Sequence, residues 1–414
     1  MHNAHLSSNI ANPITMTLTL NDHLKPEKAL PRDHDKAALA GRVWRPDVDG
    51  PSVVTLRGDE LFDISADYPT MRDLCETADP AKAMRAAKGQ PIGKLGDILA
   101  NSAADRRSGS VPWLLAPVDL QAVKAAGVTF AISMLERVIE ERARGDYTAA
   151  AEIRKTVKEL VGDDLKKLKP GSAQAMKLKE TLIAQGAWSQ YLEVGIGPDA
   201  EVFTKAQVMS SVGTGADGGL HAMSTWNNPE PEVVLAVSST GRIVGATLGN
   251  DINLRDVEGR SALLLSKAKD NNASCSIGPF LRFFDEGFSL DDVRKTVVTL
   301  EVEGPEGFKL KGSSSLAMIS RDPADIAGQT IGKHHQYPDG FVLFLGTMFA
   351  PVEDRDTPGK GFTHKEGDIV TIATEKLGSL TNRMRRSHEC PPWTFGVSHL
   401  MRNLAKRGLI QAEG

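Results

Sequence analysis

The sequence predicts a β-rich α+β fold, and three observations carry that expectation. Short apolar runs bounded by turn residues recur along the chain: Ser52 to Arg57, Glu60 to Ser65, Val233 to Val237, Ile243 to Leu248, Thr296 to Val302, Phe341 to Leu345 and Asp368 to Thr374. The later runs are joined by long polar connections, the mark of mixed sheets. Helical text is confined to separate stretches, among them Thr70 to Lys88, the segment after Gly127, and Val397 to Arg407.

The most informative stretch is Trp226 to Asp256. Glu230 and Glu232 stand two apart, so on an extended strand both carboxylates face one way. Val233 to Val237 and Ile243 to Leu248 flank the turn residues Ser238 to Gly241, which reads as a hairpin. With the turn centred near Thr240, Glu230 falls opposite about Asn250, and Asp251 arrives at the same strand end. Three clustered carboxylates raise one another's pKa values unless a cation compensates them. The donors are all oxygen, which favours Mg²⁺, Mn²⁺ or Ca²⁺ over Zn²⁺ and leaves open positions for water or a chelating substrate. The blander alternative is that Glu230-x-Glu232 ends a strand in solvent.

Composition narrows the class. The chain has 414 residues, a formal net charge of −4 and 25% charged residues, which suits one or two globular domains and not a basic nucleic-acid binder. No run of about 18 apolar residues is present, and the first residues lack a signal-peptide pattern. Cys75, Cys275 and Cys390 are few, scattered and odd in number, so neither a disulfide framework nor a zinc cluster is indicated. A cytoplasmic protein without membrane or nucleic-acid partners is expected.

Residues 1–40, rich in Asn, His, Pro and charge, read as a flexible arm, and residues 41–110 as a small α+β domain ending in the linker Ala104 to Pro112. Residues 111–414 form the expected catalytic domain, with a Lys/Glu/Ala-rich helical insertion at about 146–190. Asp119 reads as the N-cap of a short helix running to Ala126, stopped by Gly127. In the helix that follows, Phe130, Met134 and Val138 form an apolar stripe, and Glu136, Arg137, Glu140 and Glu141 an opposite face that is either solvated or functional. Gly213-Thr-Gly215-Ala-Asp-Gly218 spells a dinucleotide fingerprint, but Trp226, Pro229 and Pro231 deny it the long helix that motif requires. Lys269 precedes a polar run into Gly278-Pro279; by itself it reads as a surface lysine, and Arg255 as an ion-pair partner of Asp251 or Asp256.

Taken in order, Glu230-x-Glu232, Gly249-Asn-Asp251 with Arg255-Asp256, Lys269 ahead of Ser276-Ile-Gly-Pro279, Gly346-Thr347, Gly367-Asp368 and Leu377-Gly-Ser379-Leu-x-Asn382 resemble the fumarylacetoacetate hydrolase family, from roughly Leu115 to Met384. The resemblance implies a fumarylacetoacetase-like mixed β-sandwich roll. It implies Mg²⁺ (or Mn²⁺) held by Glu230, Glu232 and Asp251, a lysine, Lys269, that reaches the bound substrate, and a homodimer or homotetramer. Hydrolytic members carry a histidine where Ser133 stands here. That departure, and the segment Gly127-Val-Thr-Phe-x-x-Ser133 before an Arg-x-x-Glu-Glu helix, is similar to the branch that dehydrates 2-keto-3-deoxy sugar acids.

The implied reaction is dehydration of a 2-keto-3-deoxy pentonate (2-dehydro-3-deoxy-D-arabinonate or -xylonate) to 2,5-dioxopentanoate. Lys269 is expected to act as base with a lowered pKa or as a cation on the enolate oxygen, and Glu140 or Glu141 as the acid at the departing hydroxyl. Arg255, Thr347 and Ser379, with Ser133, are carried over as substrate contacts. An acylpyruvate hydrolase or oxaloacetate decarboxylase, and a non-catalytic oligomer of the same fold, are the alternatives.

Overall fold

The computed structural model describes residues 19–144, 146, 148, 150, 168–184, 186–348, 351, 353–356 and 361–410. Its strands are β1 (Leu39–Arg45), β2 (Gly50–Arg57), β3 (Glu60–Asp63), β4 (Gln90–Lys94), β5 (Trp113–Leu115), β6 (Ala122–Gly127), β7 (Glu201–Ala206), β8 (Asp217–Leu220) and β9 (Asn227–Asn228). There follow β10 (Pro231–Val237), β11 (Ile243–Asp251), β12 (Asn253–Leu254), β13 (Cys275–Phe283), β14 (Val297–Glu303), β15 (Lys309–Ser315), β16 (Phe341–Phe344), β17 (Ile369–Thr374) and β18 (Gly378–Arg386). Among the described residues one large sheet runs β4-β3-β2-β1-β13-β11-β10-β16-β6-β7, with β5 on β1, and a second runs β15-β14-β17-β18-β8. Both are mixed: β16 pairs parallel with β6, and β18 parallel with β8.

The expected β-rich α+β fold is what the chain forms. The two sheets enclose the main core, to which the large sheet gives Val233, Leu235, Leu248, Phe341 and Leu343, and the smaller sheet Val298, Leu300, Val370, Ile372 and Leu380. Strand β10 is covered on both sides, since Val234 packs with Ile277, Val342 and Phe344 on the opposite face. A strand buried twice has no polar side to display, which is why Val233 to Val237 is continuously apolar.

Three expectations change. The stretch expected as a helix from Asp119 to Ala126 is instead β6, held between β16 and β7; its alanines favour a helix locally, but sheet pairing overrides that weak preference. Asp119 caps a different helix, Met71–Glu76, accepting from the backbone N–H groups of Met71 (2.7 Å) and Arg72 (3.1 Å). The linker at 104–112 is crossed by pairing, β5 with β1 and β1 with β13. Residues 1–18 of the expected arm lie outside the described residues. Its remainder is anchored: Leu20, Leu24 and Ala29 are buried against β1, β2 and Phe280, and Asp33 pairs with buried Arg282 at 2.7 Å. Of the insertion at about 146–190, most of 145–167 is likewise outside the described residues, and Ala173–Ala184 is a helix. The glycine run 213–218 leads into strand β8, not a helix.

Candidate active site

The hairpin β10–β11 builds the centre of the site. Pro231 pairs with Asn250 and Glu232 with Gly249. The residue opposite Glu230 is therefore Asp251, one further along than expected, and the Asp251 N–H donates to the Glu230 carbonyl at 3.0 Å. The shift has a local cause. Val237 pairs with Ile243 but Ala236 with Gly245, so Val244 is the extra residue of a β-bulge. Because facing residues share a side, Glu230, Glu232 and Asp251 all project to one face, and one oxygen from each lies within 4.8 Å of the others.

Buried cations surround this cluster. Lys269 ends the short helix Leu265–Lys269 and donates from Nζ to Glu230 Oε2 (2.6 Å) and Asp251 Oδ2 (2.9 Å). It is not the surface residue that its own segment indicates. Lys205 Nζ, fully buried, lies 3.0 Å from Asp251 Oδ1 and donates to the carbonyl of Lys269. Arg137, on the helix Ala131–Arg142, pairs with Glu230, with Glu140 (2.6 Å) and with Glu258 (3.0 Å). Strand β7 adds a further set, because Glu201, Phe203 and Lys205 alternate onto one face. Glu201 and Phe203 line the cavity with Ser133, Thr347 and the three carboxylates.

Charge decides what this cavity accepts. Among the described residues around it, the carboxylates Glu201, Glu230, Glu232, Asp251 and Glu258 face the cations Arg137, Lys205 and Lys269. With all five carboxylates ionised the formal excess is two negative charges, which one divalent cation would offset. Burial, with Asp251 and Glu230 nearby, pushes the Glu232 carboxyl well above the carboxylate range, although the Gly346 N–H donates to it at 2.7 Å. Burial also raises Glu230, whereas for Asp251 burial is outweighed by Lys269 and Lys205, which hold it ionised. A hard cation in the all-oxygen set would remove the penalty on Glu232, so the residues fit Mg²⁺ or Mn²⁺.

The sequence-derived candidates separate into two groups. Ser133 and Thr347 line the cavity, and the Ser133 hydroxyl donates to the Phe130 carbonyl at 2.9 Å. Glu140 lines a small adjoining recess, bounded also by Ser133, Arg137, Glu230, Arg255 and Thr347. It is wedged between Arg137 and Arg255 (2.7 Å), and although burial favours its neutral form, the two arginines win and hold it as carboxylate, unsuited to donate a proton. Glu141 points elsewhere, accepting from Ser189 (2.5 Å) and Gln190 (2.8 Å). Arg255 lines the same recess and is tied into the fold: its guanidinium stacks 4.2 Å from the Trp226 ring centre, bonds Glu140 and donates to the Pro351 carbonyl at 3.2 Å. Asp256 instead binds the turn at Ser224 to Trp226. Ser379 is remote, donating to the carbonyl of Lys28 at 2.9 Å. The lowered pKa expected of Lys269 is reversed, since Asp251 and Glu230 outweigh burial and raise it.

Sequence reasoning missed Glu201, Lys205 and Glu258. Glu201 is the consequential one. Burial, then the charge of Glu258, pushes its carboxyl up to about 7. It pairs with Gly127 across β6–β7 and its carboxylate lies over that glycine, where a Cβ would fall 2.1 Å from Oε2. The alternation Glu201-x-Phe203-x-Lys205 was the available signal, but only the pairing with β6 aims it inward. Val128 beside it holds φ 55, a strained value for a β-branched residue.

The fold and this site define a mixed, sheet-rich protein with a buried triad of carboxylates that could hold a metal ion. Residues 235–385 match the family model "Fumarylacetoacetate (FAA) hydrolase C-terminal". A protein of Haloferax volcanii named "Probable 2-keto-3-deoxyxylonate dehydratase" is 25% identical over 323 residues, 78% of this chain and 90% of its own length. One of Saccharolobus solfataricus named "2-dehydro-3-deoxy-D-arabinonate dehydratase" is 30% identical over 189 residues, 45% of this chain and 59% of its own. Solved structures of a 2-keto-3-deoxy-D-arabinonate dehydratase superpose with TM-scores of 0.59 (apo form) and 0.58 (with magnesium and 2,5-dioxopentanoate), each at 20% identity over 84% of this chain and 99% of theirs. That likeness establishes the fold. No helix among the described residues is long and apolar enough to cross a membrane.

Proposed function

We propose that the protein catalyses the metal-dependent dehydration of a 2-keto-3-deoxy pentonate (2-dehydro-3-deoxy-D-arabinonate or -xylonate) to 2,5-dioxopentanoate. The observation that carries this reading is the presence in one cavity of an all-oxygen carboxylate triad and a carboxyl, Glu201, able to give and take a proton near neutrality. The names of the relatives agree with it.

In this reading Glu230, Glu232 and Asp251 hold Mg²⁺ or Mn²⁺, with the Gly346 N–H orienting Glu232. The cation, when bound, supplies Lewis-acid polarisation of the C1 carboxylate and C2 keto oxygen, which acidifies C3–H. Lys269 stays protonated and stabilises negative charge at the C2 oxygen. Glu201 takes a C3 proton and returns it to the C4 hydroxyl, which leaves as water. Loss of water leaves an unsaturated alcohol with a C3=C4 double bond; a second proton transfer, from C5 to C3, converts it to the C4=C5 enol, and movement of the C5 hydroxyl proton to C4 gives the aldehyde of 2,5-dioxopentanoate. Ser133 and Thr347 contact the substrate. Assembly as a homodimer or homotetramer, and action in the cytoplasm on breakdown of pentoses, complete the proposal.

The test is a proton NMR time course with Mg²⁺ and 2-keto-3-deoxy-D-xylonate. The aldehyde signal should appear and be abolished by a chelator. Persistence of this substrate with consumption of acetylpyruvate or oxaloacetate would replace the reading by a hydrolase or decarboxylase.

A further inference from the structure

A second cavity, of about 230 Å³ against about 30 Å³ for the carboxylate cavity, opens between β1, β5, the loop 209–217 and the segment 391–395. Its walls are aromatic. Trp44 and Trp113 stack with ring centres 5.9 Å apart and planes 20° apart, Phe395 meets Trp44 edge-on at 5.1 Å, and Trp393, 45% exposed, stands at the rim. Rings arranged with a vacant space beside them offer a planar apolar surface to a ligand.

The charged groups of this cavity are unequal. Arg42 is matched by Asp119 at 3.5 Å, and Asp217 by Arg383 at 2.9 Å. Arg107 makes no ion pair among the described residues. Its guanidinium lies 5.0 Å from the Trp113 ring centre, one Nη donates to the Ser102 carbonyl at 2.9 Å, and its Nε is buried with no hydrogen-bond partner. A guanidinium without an ion-pair partner beside aromatic walls complements a carboxylate carried on a ring. Two non-glycine residues of the lining, Met209 (φ 68) and Ala273 (φ 59), also hold left-handed backbone, a strain that persists where surrounding structure enforces it and that recurs at ligand sites. Val128 shows the same feature at the carboxylate cavity.

We propose that this cavity binds a small planar aromatic carboxylate, with the ring against Trp113 and Trp393 and the carboxylate on Arg107. The site is independent of the dehydration reading. It is also distinct from the carboxylate cavity, whose lining it does not share.

Saturation-transfer difference NMR on the full chain, with benzoate as probe and a chelator present, tests it. Benzoate should give a saturable signal stronger than that of benzyl alcohol or acetate. Arg107→Met should weaken it by about tenfold or more, the loss expected for a charge-assisted hydrogen bond. Trp393→Ala, at the half-exposed rim, should weaken it as well, while Glu232→Gln leaves it unchanged. Absence of saturable binding overturns the proposal. So does a signal that survives Arg107→Met and Trp393→Ala but vanishes in Glu232→Gln, which would place benzoate in the carboxylate cavity. Dissociation of an oligomer by Trp393→Ala, with no benzoate signal in the parent, would instead assign the cavity to a second copy of the chain.

Discussion

Asp251 stands directly across the β10–β11 pair from Glu230, its N–H donating to the Glu230 carbonyl at 3.0 Å. The bulge at Val244 sets this relationship, since without it every residue of β11 beyond the bulge would face the opposite side. Insertion of an alanine after Val244 should therefore move Asp251 to the opposite face and abolish Mg²⁺ binding in a calorimetric titration while circular dichroism still reports a folded chain, whereas deletion of Val244, which keeps Ala236 opposite Gly245, should spare binding. A folded insertion variant that binds Mg²⁺ as tightly as the parent would show that register does not bring Asp251 to the glutamates.

The raised pKa of Glu232 predicts a pH dependence for metal binding. Below its folded pKa the carboxyl carries a proton that the cation must displace, so affinity is lost as pH falls and regained as pH rises. For one displaced proton the slope is about tenfold per pH unit. Calorimetry in buffers of different ionisation enthalpy should detect the released proton, and Glu232→Gln should lose both the proton release and the binding.

Glu201→Gln is expected to spare Mg²⁺ affinity and to lower kcat by roughly 10²–10⁴-fold, the usual contribution of a positioned acid–base group. Gly127→Ala provides an independent check, because its new methyl would displace the Glu201 carboxylate and leave the chemistry of the residue intact. Since Glu201 must be ionised to take the C3 proton, kcat should fall as pH drops through about 7. Full activity in both variants would remove Glu201 from the reaction.

Glu141→Gln should change activity by no more than about twofold, as for a residue away from the cavity. Glu140→Gln acts through stability, because it strips buried Arg137 and Arg255 of a shared partner; a loss of about 3–5 kcal/mol is expected in denaturant titration. An unchanged midpoint for Glu140→Gln, with lost turnover, would return it to the catalytic group.

By itself the sequence determined the strand text, the hairpin, the facing pair Glu230 and Glu232, and the oxygen-only character of the cluster, because each depends on short-range period and donor chemistry. Tertiary structure decided the rest. The Ala122–Gly127 stretch became a strand because β16 and β7 flank it. The face of Glu136, Arg137 and Glu140 is buried beneath Arg255 and Trp226, where a periodic charge pattern looks the same as a solvated one. Lys269 and Lys205 meet Asp251 from segments far apart in the chain, and Glu201 reaches the cavity only through the β6–β7 register. Which carboxylate is held as an anion and which keeps a proton follows from burial and from those distant partners, and neither is written in local sequence.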